Sequence, residues 1–342
     1  MSAVHDQARM QTLRRVLIAA AIIWLLVIGQ TLTAPRSSES HALKGERVLP
    51  NFAKERAETS EIRFTMADET YTLERTARGW IAPQSGRFPV RADRLSDFVT
   101  GLETLTYGDK RTSDPYKLNQ IGLGEPAEGG NGVIVELFGA DKTLTDAILL
   151  GRKGDTLYGR RPGDNQTYRL SGELPAFYSR RPWLDLDVIA IEPSTVAAVR
   201  LIDQTGERLY LKRPPGADTR SFVPAAPDTG RTLISRLAAS TTALAVTRIN
   251  PLDVMPAADL STLPVARHVS ETFDGLEVDI AAYREAEGTW ITLYVVEAGR
   301  GARRAETINK KADGWAFKLS EYDWQDFTPL VSSLVEPADA SP

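Results

Sequence analysis

Three histidines and no cysteine limit the chemistry this chain can perform. His5 precedes a long apolar stretch, His41 follows it, and His268 lies deep in the remaining sequence. Neither a histidine metal centre nor a serine–histidine–aspartate arrangement is therefore expected. The absence of cysteine excludes a disulfide framework, a thiolate metal site and a lipoprotein-type anchor. Gly122 to Ala127, "GLGEPA", has the Gly-x-Gly-x-x-Ala form, but Pro126 and the following "EGGNG" make it a loop. A dinucleotide site would need it to open a helix after a strand. Asp185, Asp187 and Glu192 in "LDLDVIAIE" are oxygen donors of the kind Ca²⁺ takes. Strand alternation would put both aspartates on one solvent face, and no twelve-residue loop accompanies them, so a solvated or ion-paired edge is expected. "NQT" (Asn165 to Thr167) reads as a turn, and neither a phosphate-binding Gly-x-x-x-x-Gly-Lys loop nor a Gly-x-Ser-x-Gly elbow occurs. No catalytic, cofactor-binding or metal-ligating residue is assigned, although the many acids leave a carboxylate pair for glycan cleavage open.

Two clusters carry recognition chemistry instead. "SRRPW" gathers Arg180, Arg181 and Trp183, residue types concentrated at binding hot spots, and these three are the candidate partner contact. A solvated face or an internal contact between two halves of the body is the plainer alternative. "RGARRAETINKK" gathers Arg300, Arg303, Arg304, Lys310 and Lys311 in an expected loop or hairpin, with the same pair of readings.

The elements that would position these clusters follow from hydrophobic periodicity. In "EIRFTMADETYTLERTARGWIAP", Ile62, Phe64 and Met66 alternate with polar residues, as do Tyr71 and Leu73, which predicts a meander of half-buried strands. Leu95, Phe98, Val99, Leu102 and Leu105 recur at helical spacing behind Asp93 as N-cap. "YGDKRT" reads as a further strand. "VRLIDQTGERLYLKRPPGADTRSFVP" and the following "DTGRTLISRLAASTTALAVTRI" repeat the order: Arg63 maps to Arg200, Leu73 to Leu211, and Leu95, Phe98 and Leu105 to Ile234, Leu237 and Leu244. The second helix is expected to begin near Thr229. Each unit is followed by strands: "GVIVELFG", "TDAILLGRK", "TLYGRR" and "QTYRLSG" in the first, "GLEVDIAAYRE", "TWITLYVVE" and "GWAFKLSEY" in the second. Helices are expected to close each half, in "ELPAFYSRRPWLD" and in "WQDFTPLVSSLV", where Trp324, Phe327, Val331 and Leu334 share a face.

The predicted fold class is α+β: an N-terminal transmembrane helix, then two similar tandem lobes of antiparallel sheet with packed helices, consistent with an internal duplication. The span is Val16 to Ala34, nineteen uncharged residues that reach about 28 Å as a helix. Arg9, Arg14 and Arg15 precede it against one acid, Asp6, which keeps the N-terminus cytoplasmic and sends the rest outward. Leu32 and Pro35 make a poor cleavage site, so the span is expected to be retained. The organisation is then a cytoplasmic segment (1–15), an anchor (16–34), a tether (35–59) that docks through "VLPNF", a first lobe (60–190), a second lobe (191–336) and a tail (337–342). Three of the 41 basic and one of the 45 acidic residues precede Arg36, leaving the exported part acidic, which argues against nucleic acid as partner.

The run "KGERVLPNFAKERAETSEIRF", then "YTLERTARGWIAP", "YKLNQIGLGEPA", "ILLGRK", "LYGRR" and "RRPWLDLDV" resembles the domain-of-unknown-function family numbered 4340. The C-terminal "FDGLEVDI" and "DGWAFKLSEY" look like its proteobacterial members. The resemblance covers nearly all of the chain after the apolar stretch. It implies a single-span bacterial envelope protein, often encoded beside gliding-motility-type ABC transporter components, and supplies no catalytic residues. The expected function is a membrane-anchored periplasmic accessory or scaffold acting by binding, without cofactor, beside an ABC transporter permease or another envelope protein. Two rivals are kept: an envelope glycan or peptide hydrolase using carboxylates, and a binder of lipid or polysaccharide with an apolar groove between the lobes.

Overall fold

The structure is a computed structural model and describes residues 43–297 and 302–337. The apolar stretch Val16 to Ala34, read above as an anchor, lies outside the described residues. Among the described residues no helix is long and apolar enough to cross a membrane.

From Arg47 onward the chain builds two sheets. Helix α1 (Pro50–Glu55) docks on the first sheet by burying Phe52, with Val48 and Leu49 buried ahead of it. Its start is fixed by Asp146, whose carboxylate accepts from the Phe52 N–H at 2.6 Å. Strand β1 (Glu61–Thr65) pairs antiparallel with β2 (Thr70–Thr76), Phe64 opposite Tyr71 and Ile62 opposite Leu73. These four side chains are fully buried because the period of two sends them to one face. Strands β3 (Gly79–Ala82) and β4 (Phe88–Pro89) complete one edge. Helix α2 (Ala92–Thr104) then lays Leu95, Phe98 and Leu102 on that face. It starts one residue before Asp93, so Asp93 lies in the first turn, where its charge suits the helix dipole, rather than at the N-cap. Strands β5 (Thr106–Lys110), β6 (Val133–Phe138), β7 (Leu144–Lys153), β8 (Thr156–Arg160) and β9 (Tyr168–Ser171) finish the sheet in the order β4-β3-β2-β1-β6-β7-β8-β9-β5.

The second sheet contains β10 (Val196–Ile202), β11 (Arg208–Lys212), β12 (Val223–Pro224), β13 (Asp253–Pro256), β14 (Ala266–Thr272), β15 (Leu276–Glu285), β16 (Gly288–Glu297) and β17 (Trp315–Leu319). Its order is β12-β11-β10-β14-β15-β16-β17-β13. With β4 set aside, every strand of one sheet has a counterpart at the same place in the other. The register agrees: Leu73 faces Ile62, and Leu211 faces Val199.

The helices depart from the sequence expectation. Helix α3 (Arg236–Ala243) begins well after Thr229, because Ser235 caps it by accepting from the Ala238 N–H. Its buried side is Ala239, Ser240, Thr242 and Ala243, small residues that let the helix approach the sheet closely. Ile234 and Leu237 are exposed, so they do not match Leu95 and Phe98 in role. "ELPAFYSRRPWLD" forms no α-helix, only a short 3₁₀ turn at Arg181–Trp183. "RGARRAETINKK" is no hairpin: Ala302–Ala312 is helix α4, with Ala305, Ile308 and Ala312 buried. The C-terminal helix α5 stops at Phe327 (Glu321–Phe327), and Val331 and Leu334 reach the core from a separate turn.

Gly101 inside α2 tests the packing. A Cβ there would lie 2.4 Å from the Glu173 carbonyl oxygen and 2.8 Å from Leu174 Cδ2. Gly→Ala in a helix interior ordinarily stabilises by about 0.5–1 kcal/mol. Here Gly101→Ala is expected to destabilise instead, by on the order of 1–3 kcal/mol in chemical denaturation, since backbone must move to admit the methyl.

Candidate functional site

Trp183 has no exposed surface. Its indole packs against Phe64 and Phe98, with ring centroids 5.4 and 5.1 Å away. Nε1 donates to the Tyr71 hydroxyl at 2.9 Å, and that hydroxyl donates to the Phe177 carbonyl at 2.8 Å. A buried indole N–H needs such an acceptor, and burial pushes the Tyr71 hydroxyl well above its ordinary pKa. The Trp183 carbonyl accepts from the Arg91 N–H, tying the segment to the start of α2.

With Trp183 fixed, the two preceding arginines turn toward the second lobe. Arg180 meets Asp253, at the start of β13, at 2.5 Å, and Glu69 of the first lobe at 3.4 Å. Asp253 also accepts from the Ser85 hydroxyl at 2.8 Å. Arg181 donates to the Pro251 carbonyl at 2.8 Å and to Asn250 Oδ1. Phe88 meets Trp315 edge-on at 4.8 Å, and a Cβ on Gly86 would clash with Pro256. Of the candidate partner contact Arg180, Arg181 and Trp183, Trp183 has no surface to offer, while Arg180 and Arg181, the latter still exposed, make the internal contact between the lobes.

The remaining candidates fall into structural roles. His268 is buried on β14, with Nε2 donating to the Thr242 carbonyl of α3 at 2.9 Å and the Phe327 ring 5.1 Å away. Asp185 pairs with Lys311 of α4 at 2.9 Å, and the Asp187 carbonyl accepts from the same ammonium, in irregular chain rather than a strand. Arg304 bonds Asp274 and the Ala190 carbonyl. "GLGEPA" is a loop, as expected, with a 3₁₀ turn at Pro126–Glu128. Among the described residues no group of three or more His, Cys, Asp or Glu gathers at metal-binding distance.

The shifted carboxylates answer to burial, to ion pairs and, at Asp141, Asp203 and Glu285, to hydroxyl and backbone N–H donors. Burial raises Glu61, but the Lys142 hydrogen bond and the charges of Arg63 and Lys142 outweigh it and hold the group below its usual range. Asp326 moves the other way, raised by burial, and it is held by Arg248 at 2.8 Å.

Sequence reading missed a groove on the first lobe. It has a volume of about 710 Å³ and runs between α1, β3 and the start of α2, floored by Phe52, Leu95 and Val99, with Trp80 half-buried beside Pro89 and Val90. Lys54, Arg56, Arg75 and Arg78 also line it, and no carboxylate does. No spacing signal could have revealed these cations, which arrive from α1, the 3₁₀ turn after it, β2 and the turn that follows β2.

Over residues 80–266 the chain matches the family described as Domain of unknown function (DUF4340). The chain belongs to this family. The DUF4340 match runs from β3 to the first residue of β14 and contains Arg180, Arg181, Trp183, Asn250, Pro251 and Asp253 of the junction, whereas Glu69, Tyr71 and Trp315 lie outside it. It takes in the Trp80, Leu95 and Val99 wall of the groove, whereas Lys54, Arg56, Arg75 and Arg78 precede it. No curated protein and no solved structure matches the chain.

Two measurements check this site. Arg180→Ala and Asp253→Ala should each cost on the order of 1–3 kcal/mol in denaturation, and the double variant clearly less than their sum, because each single change strands a half-buried charge. Additivity would mean that the pair does not couple the lobes. Burial lowers the pKa of His268 to about 4. The unfolded chain, at about 6.5, takes up this proton first, so stability is full above pH 6.5 and falls as pH drops toward 4. The loss should be on the order of 3 kcal/mol across that window, and His268→Gln should flatten it.

Proposed function

We propose that this DUF4340 protein is a periplasm-facing accessory of the inner membrane, held by Val16 to Ala34 as an uncleaved single span, and that it works by binding beside an ABC-type transport system. Its two lobes are read as products of an internal duplication, supported by strand orders that correspond place for place. The observation that carries the binding reading is the open face of the second sheet. On β14, β15 and β16 the alternate residues Ala266, His268, Val278, Ile280, Leu293 and Val295 are buried. The intervening residues form a face of ion pairs, Glu271–Arg200–Glu277 and Arg267–Asp279. Tyr294 (57 % exposed) and Val296 (46 % exposed) stand on this face beside a recess of about 750 Å³. Apolar anchors set among charges on a rigid sheet are the composition of a protein-contact surface. An anchored body also meets its membrane partners at raised effective concentration, so a modest interface suffices.

The hydrolase alternative finds less support. It needs a general acid whose pKa is raised within a cleft opposite a second carboxylate, and Asp326, a carboxylate that burial holds above its usual range, is paired with Arg248.

The full chain should remain in membranes after alkaline carbonate washing with its N-terminus intact, and it should co-purify with an ABC-type permease. Tyr294→Asp with Val296→Asp should reduce that recovery about tenfold or more while leaving the denaturation midpoint unchanged. Complementation of a deletion by a soluble body starting near Pro35, together with loss of function from one carboxylate substitution that leaves folding intact, would favour the hydrolase.

A further inference from the structure

The groove of the first lobe has an occupant of defined chemistry. We propose that it binds an anionic amphiphile with one acyl chain, the chain lying on Trp80, Pro89, Val90 and Val99 and the head group held at the cationic rim.

Three observations converge. The groove presents the accessible apolar side chains of Trp80, Pro89, Val90 and Val99, backed by buried Phe52 and Leu95, and its volume falls in the range that holds a small molecule. Its charge has one sign. Four cations and no acid line it, in a chain whose net charge is −4. The cations are also graded in freedom. Arg56 is paired with Glu103 at 2.7 Å, and Arg75 donates to the Ala57 carbonyl at 2.6 Å, so both are pre-positioned. Lys54 and Arg78 are exposed and have no ion-pair partner among the described residues. A guanidinium–ammonium rim around an apolar slot matches an anionic head on a hydrocarbon chain: guanidinium binds carboxylate or phosphate in a bidentate way, and the slot takes the methylenes. A sugar would call for many hydrogen-bonding side chains, and besides the cations and the Trp80 indole the lining offers only the hydroxyls of Thr59 and Ser96. This inference stands apart from the transporter reading, which uses the other lobe.

The test uses the full chain in phosphatidylcholine nanodiscs and palmitate carrying a photoreactive diazirine in its chain, with labelled peptides located by mass spectrometry. Labelling should fall on the peptides bearing Trp80, Pro89, Val90 and Val99. Saturated carboxylates should compete about fourfold better per added methylene until the slot is filled, the equivalent of about 0.8 kcal/mol each. Palmitate and lysophosphatidylglycerol should both compete, and the stronger of the two identifies the head as carboxylate or phosphate. Lys54→Glu with Arg78→Glu should weaken labelling on the order of tenfold, and Val99→Trp should block it by filling the slot, each with an unchanged denaturation midpoint. Several results would overturn the proposal: no labelling of these peptides, equal competition by acetate or inorganic phosphate, equal competition by palmitate methyl ester, or full labelling of the charge-reversed variant. The permease recovery measured with Tyr294→Asp and Val296→Asp is independent, so failure of one reading is distinguishable from failure of the other.

Discussion

A buried indole cannot keep its N–H unpaired, and that requirement organises the centre of this molecule. Trp183 satisfies it through Tyr71, which hands its own hydrogen to Phe177, so one relay pins both the linker and the end of the first lobe to β2. Three aromatic rings, Phe64, Phe98 and Trp183, then fill the space between sheet and helix. Because Trp183 is immobile, Arg180 and Arg181 point one way, into Asp253, Asn250 and Pro251 of the second lobe. The charged contacts between the lobes are thus an extension of an apolar one.

The paired sheets show how little of a repeated architecture resides in individual side chains. Strand order and register coincide, yet the helices that cover them differ. The first lobe uses large residues on α2, whereas the second uses Ala239, Ala243 and small hydroxyl residues on a shorter helix that His268 holds through Thr242. What is common is the order in which backbone hydrogen bonds are satisfied, and that order tolerates different solutions to filling the space above the sheet.

This difference explains what the sequence disclosed. Alternation is a local property, so Ile62 and Phe64, or the run from Leu276 to Ala282, announced their strands and their buried faces. Helical spacing is less secure. Leu174, Phe177, Trp183 and Leu184 are all buried, but each enters the core separately from irregular chain broken by Pro175 and Pro182, and their spacing imitates a helix. Conversely, α4 hid behind its charges because only Ala305, Ile308 and Ala312 face inward. Trp183 was found by residue type, but type could not say whether it faced a partner or its own core. The groove was invisible for a different reason: its cations at positions 54, 56, 75 and 78 come together only when α1 docks beside β3.

Near its far end, β16 departs from β17, which pairs with it only over Thr289 to Ile291. There the Asn309 side chain takes the place of a neighbouring strand, its Oδ1 accepting from the Val295 N–H at 2.8 Å and its Nδ2 donating to the Val295 carbonyl at 2.7 Å. One amide thereby occupies both backbone groups that an incoming extended peptide would need at that residue. Strand addition from another chain is blocked at Val295. Copies of the chain would otherwise zip together at such an open margin, and this asparagine steers any association there toward the broad faces of the sheet.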